Sequence, residues 1–181
     1  RLGLTQNFIQ DQYAILSGYV VSMLVTPTFF CTIIYRLYLP IATDDLYYHK
    51  SNTFLHLLYA LLICFLIGLP FTLIFYFFPK QSLMILYNTT SGYQQLKYMS
   101  FPFLLFYLQT PLSTILQAKN KNKVMFIISM IECTLEIILT YTLSHYLYVN
   151  AILISLFIGL ITTLTLSAIY CFKIIKDTSL S

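Results

Sequence analysis

Long apolar runs broken by short polar segments dominate this chain. The first runs from Tyr13 to Tyr35 with Pro27 inside it. It continues through "YRLYLP" into a polar stretch holding Asp44, Asp45, His49 and Lys50. Further runs cover 54–78, 98–118, 124–143 and 149–172. An apolar helix of about 18 or more residues spans a hydrocarbon core about 30 Å thick, so the pattern predicts an all-α polytopic transmembrane bundle of about five spans in a single membrane domain. Short connections between the last three predict an up-down arrangement. No segment shows the alternation of a strand.

Prolines and glycines refine this picture. Pro102 and Pro111 fall inside the third span. The second span is interrupted by Gly68-Leu69-Pro70, where the proline lacks a backbone donor, so a kink and a hinge are expected at Gly68 and Pro70.

Composition agrees: 59% of residues are hydrophobic, 17% aromatic and 9% charged, far from a soluble domain. The chain begins at Arg1, and its first apolar run has neither a basic leader nor a small-residue cleavage site. The expectation is a fragment of a longer chain, without a signal peptide.

The net charge of +4 is spread over loops, which argues for membrane orientation and against nucleic-acid binding. Arg36, Lys50, Lys119, Lys121, Lys123, Lys173 and Lys176 fall on one side of the predicted bundle, and Arg1, Lys80 and Lys97 on the other. The positive-inside rule puts the former in the cytoplasm and the N-terminus outside.

The four cysteines, Cys31, Cys64, Cys133 and Cys171, lie singly in apolar runs away from His49, His56 and His145. Neither a disulfide framework nor a metal site is expected. Serine elbows, HExxH, phosphate-cradling glycine loops and paired-carboxylate loops are absent, so no enzyme is expected. Asn88-Thr89-Thr90 forms a sequon, which carries no meaning in a bacterial host.

Polar residues inside the spans are the candidate chemistry. Gln109, Ser113 and Gln117 recur at i, i+4 and i+8, making a stripe that either packs helices or lines a substrate cavity. Thr28, Thr32 and Arg36 share a face and offer either a path for headgroups or a snorkelling, orientation-setting arginine. Ser155, Gly159, Thr163 and Ser167 recur every four residues, as in close helix packing. Glu132 and Glu136 sit four apart near the middle of the fourth span. A charge at the bilayer centre costs about 2.5–3.5 kcal/mol on insertion scales, so these carboxylates must be paired, hydrated or protonated. Either they couple transport to protons or sodium, or they form a hydrogen-bonded structural pair with Ser129 or Thr140.

The segments "LSGYVVSMLVTPTFFCTIIYRLYLPIA", "LIGLPFTLIFYFFPKQSLMILY" and "YMSFPFLLFYLQTPLSTILQAKNK" resemble the stage V sporulation protein B-like polysaccharide flippases. These belong to the multidrug/oligosaccharidyl-lipid/polysaccharide exporter superfamily. The shared features are Pro27 with Leu39-Pro40, Gly68 to Pro70, Leu86-Tyr87, Leu116-Gln117 and the basic turn from Lys119 to Lys123. Two features depart: Ala118-Lys119-Asn120 replaces a glycine-rich turn, and Ile152 to Ile154 replace small residues.

The resemblance implies part of the second lobe of an exporter of about twelve or fourteen helices that works by alternating access. It would carry a lipid-linked oligosaccharide or polysaccharide precursor across a bacterial cytoplasmic membrane. Its partners would be membrane lipids and the lipid-linked sugar, with no cofactor beyond a coupling proton or sodium ion. A cation-coupled multidrug exporter and a non-transport scaffold subunit are the alternatives.

Overall fold

The computed structural model describes residues 6–48, 52–147 and 150–180. Arg1 and Lys50 of the charge pattern above, and His49 of the polar stretch, lie outside them. The described residues are helical, with no strand among them: α1 (Gln6–Ala14), a π-helical segment (Ile15–Val21), α2 (Ser22–Val25), α3 (Thr28–Tyr47), α4 (Thr53–Phe77), α5 (Pro79–Tyr87), α6 (Tyr93–Ala118), α7 (Asn122–Leu147) and α8 (Asn150–Leu180). Among these, α4, α6, α7 and α8 are each long and apolar enough to cross a membrane. The pair Gln10–Val25 and Thr28–Tyr47, bent by 42°, brings the number to five when the two are counted as one broken span.

The first span differs from its expected form. Pro27 does not sit inside a helix; the chain breaks there, between α2 and α3. Pro27 has no N–H to continue the ladder, which frees carbonyls at the end of α2. Thr28 Oγ1 donates to Val25 O at 2.5 Å, and Tyr107 Oη on α6 donates to Leu24 O at 2.6 Å. Beyond the break, α3 continues through Pro40 to Tyr47, past the end of the expected span and into the polar stretch. Its inward face, Tyr38, Ala42, Asp45 and Leu46, is buried and outweighs the polar outer face.

By contrast, α4 runs unbroken through Gly68 and Pro70. Gly68 serves a contact: a Cβ there would overlap the Tyr107 ring. Pro79 opens α5 between the expected spans, at the first helical turn where its missing donor costs nothing. Gly92 precedes α6 with φ +88°, and a Cβ there would lie 2.7 Å from Ile15 and 2.9 Å from Val20. Glycine therefore satisfies both the left-handed backbone and the close approach to the π-helical segment.

The basic turn closes α6 with Asn120 in the left-handed conformation at φ 56°. Lys121 N donates to Leu116 O and Asn120 N to Gln117 O, both at 2.8 Å. These two bonds define a Schellman motif, so asparagine fills the role a glycine-rich turn would otherwise take.

Helix α6 is the axis of the bundle. Half of its apolar window, 50%, is buried, against 6% for α7, and it packs on α3, α4 and α8. One buried cluster joins Leu24, Cys31, Cys64, Leu83, Phe103 and Tyr107 near α5. A second joins Tyr38, Leu57, Leu112, Ile115, Cys171 and Ile174 toward the basic turn. Helix α7 packs chiefly on α8 and leaves Phe126, Ile127, Met130, Ile137 and Tyr141 exposed.

Candidate functional site

The seam between α7 and α8 holds the acidic pair. The helices are antiparallel, so residues spaced by four on one meet residues spaced by four on the other in reverse order. In this register Glu132 faces Thr163, whose Oγ1 donates to Gly159 O at 2.8 Å. Glu136 lies over Gly159, where a Cβ would come within 2.7 Å of its Oε1 and 3.0 Å of its Cγ. Thr140 Oγ1 and Ser155 Oγ are 2.7 Å apart. The small residues of α8 are buried, with Ser155 and Thr163 each 1% exposed, and they admit α7 closely enough for this ladder.

On α8 the glutamates thus meet Gly159 and Thr163. Both carboxylates are half-buried. Beside Glu136 a groove of about 510 Å³ opens, lined by Glu136, Thr140, Tyr141, Ser144, Ile152 and Ser155 among others, all from α7 and α8.

Proton counting shows what the seam can do. Ser155 Oγ donates to Ile152 O, so Thr140 is the donor to Ser155, a hydroxyl having one proton. Thr162 and Thr163 both reach Gly159 O at 2.8 Å. The Thr163 hydroxyl is thereby engaged along its own helix, beside Glu132.

The sequence of α8 carries no charged residue from Asn150 to Phe172, and that of α6 none from Tyr98 to Ala118. No cation from these two spans faces the pair. Compared with known protein families, curated proteins and solved structures, the chain matches none.

The other sequence candidates lie elsewhere. Gln109, Ser113 and Gln117 are half-buried along α6, and Ser113 Oγ donates to Thr110 O at 2.8 Å. Thr28 is half-buried, while Thr32 and Arg36 are exposed on α3. Thr32 Oγ1 donates to Phe29 O at 2.7 Å. These threonine and serine hydroxyls are therefore engaged along their own helices.

Three arrangements had escaped the sequence reading. Asp45, 2% exposed, meets His56 Nδ1 at 2.5 Å and joins the end of α3 to the start of α4. Their placement at facing ends of consecutive antiparallel helices was the available signal. Tyr107 reaches Leu24 across 83 positions, for which no local pattern exists. The third is a pair of cysteines: Cys31 on α3 and Cys64 on α4 are both buried in one apolar cluster although each stands alone in the sequence.

Proposed function

We propose that this chain is a membrane-transport segment, part of one lobe of a flippase that moves a lipid-linked oligosaccharide or polysaccharide precursor across a bacterial cytoplasmic membrane by alternating access. The observation that carries this reading is the acidic pair Glu132 and Glu136, half-buried within a span and turned toward the small residues of α8, with Glu136 over Gly159. A carrier that loads and releases a proton has a use for carboxylates inside a span. The resemblance of three segments to polysaccharide flippases supplies the substrate class. The bend at Pro27 and the thin packing of α7 supply elements able to move. The work is transport, with no covalent chemistry on the substrate.

The test is reconstitution of the full-length protein in liposomes with a fluorescent lipid-linked oligosaccharide. Replacing Glu132 and Glu136 by glutamine keeps shape and hydrogen bonding and removes titration. Loss of flipping, or loss of its pH dependence, is expected. Unchanged flipping with unchanged pH dependence overturns the coupling role. Transport of amphipathic cations instead of the lipid-linked sugar overturns the flippase assignment in favour of a multidrug exporter, and absence of any transport by the unmodified protein favours a scaffold.

A further inference from the structure

We propose that the groove between α4 and α8 seats an anionic phospholipid, with an acyl chain in the groove and the phosphate at Lys173 and Lys176. The proposal is independent of the transport reading. Helices α4 and α8 both pack on α6 and hardly on each other. The gap between them is a groove of about 270 Å³, with Leu112 of α6 as floor, Leu57 and Leu61 on one wall and Leu164 and Ala168 on the other. Every lining residue is apolar.

The two ends of the groove differ. At one end Phe54, in the first turn of α4, and Phe172 of α8 approach to 6.0 Å between ring centroids, and both are exposed. Lys176 follows Phe172 by one helical turn on the same face, and Lys173 is exposed next to it. This is also the end where the basic turn closes α6. The described residues there carry Lys119, Lys121, Lys123, Lys173 and Lys176 against Asp44, Asp45 and Asp177, and Asp45 is engaged with His56. Away from that end the walls and floor are uncharged: 54–78, 98–118 and 150–172 contain no lysine, arginine or aspartate, and of these three segments none contains glutamate.

This division selects the ligand. An apolar cavity stays dry, so within a membrane its matching occupant is hydrocarbon. From Phe172 to Leu164 the wall extends over eight positions, about 12 Å along the helix, which gives an acyl chain its seat. A chain alone has no reason to prefer this groove to the surrounding bilayer; the lysines supply one. Their stems lie along apolar surface while the ammonium groups reach headgroup level, where they attract anionic lipid. A phospholipid of net negative charge, such as phosphatidylglycerol, satisfies both halves of the site. Phosphatidylethanolamine brings the same chains but cancels its phosphate with its own ammonium. The bound lipid joins α4 to α8, which otherwise depend on α6 to hold them together.

The experiment places the complete protein in nanodiscs of equimolar phosphatidylglycerol and phosphatidylethanolamine, releases it into mild detergent and reads the retained lipid by native mass spectrometry. Phosphatidylglycerol is expected to be retained about tenfold over phosphatidylethanolamine. Lys173→Gln combined with Lys176→Gln brings the two lipids to equal retention, and Lys97→Gln at the opposite end leaves the preference intact. A phosphatidylglycerol with a photoreactive acyl chain locates the site in the unmodified protein, without reliance on a variant folding, and is expected to label the peptides holding Leu57–Leu61 and Leu164–Ala168. Equal retention of both lipids by the unmodified protein, a preference that survives the double change, or labelling confined to other helices overturns the proposal. Absence of any retained or cross-linked lipid also overturns it, and means that another part of the protein covers the groove.

Discussion

Tyr107 Oη donates a 2.6 Å hydrogen bond to the carbonyl of Leu24, tying the middle of the central helix to the broken end of the first span. With water excluded, a carbonyl released at a helix end needs such a partner. Tyr107→Phe keeps the ring and removes only this bond. A loss of about 1–2 kcal/mol in unfolding free energy is expected, measured in mixed detergent micelles.

The same ring lies over Gly68, so Gly68→Ala forces either the Tyr107 ring or α4 to move. Overpacking of this kind costs about 1–3 kcal/mol. Gly18, with nothing within 4 Å of a Cβ, is the control. Thermal melting is expected to fall clearly for Gly68→Ala and to change little for Gly18→Ala.

Gly159→Ala intrudes on the carboxylate of Glu136, whose flexible end is able to shift. The variant should therefore be only mildly destabilised. Adding Glu136→Ala removes the obstruction, so the two changes should combine non-additively, with a coupling of about 0.5 kcal/mol or more in a double-mutant cycle. Strict additivity would show that the two residues are not in contact.

The Thr140–Ser155 hydrogen bond joins the same two helices further along. Interhelical hydrogen bonds in membrane proteins average about 0.6 kcal/mol in double-mutant cycles. A cycle of Thr140→Val and Ser155→Ala should return a coupling of that size.

Asn120 holds a left-handed conformation at the end of α6. Asn120→Gly is expected to be neutral or slightly stabilising, and Asn120→Val to destabilise by about 1–2 kcal/mol, since a β-branched residue resists that backbone. Melting curves of the two variants provide the comparison.

The all-helical class and the long apolar spans were legible from sequence, because hydrocarbon thickness fixes how many apolar residues a helix needs. The close-packing stripe of α8 was legible too, since a four-residue repeat lies on one helix face whatever the helix packs against. Local rules were less able to place breaks. Proline occurs at 27, 40, 70, 102 and 111 within the spans, yet the described chain breaks only at Pro27 among these. Whether a helix survives a proline depends on what satisfies the freed carbonyls, and at Pro27 those partners include Tyr107, 83 positions from Leu24.

The acidic pair shows the same division. Sequence placed Glu132 and Glu136 on one face inside a span and required something to offset their charge. Only the packing of α8 against α7 brought Gly159 under Glu136 and faced Glu132 with Thr163. Cys31 and Cys64 entered one buried cluster for the same reason. Helical periodicity states which residues of one helix share a face. The rotation and register of two helices against each other follow from how their side chains interlock, and that information is held by no single segment.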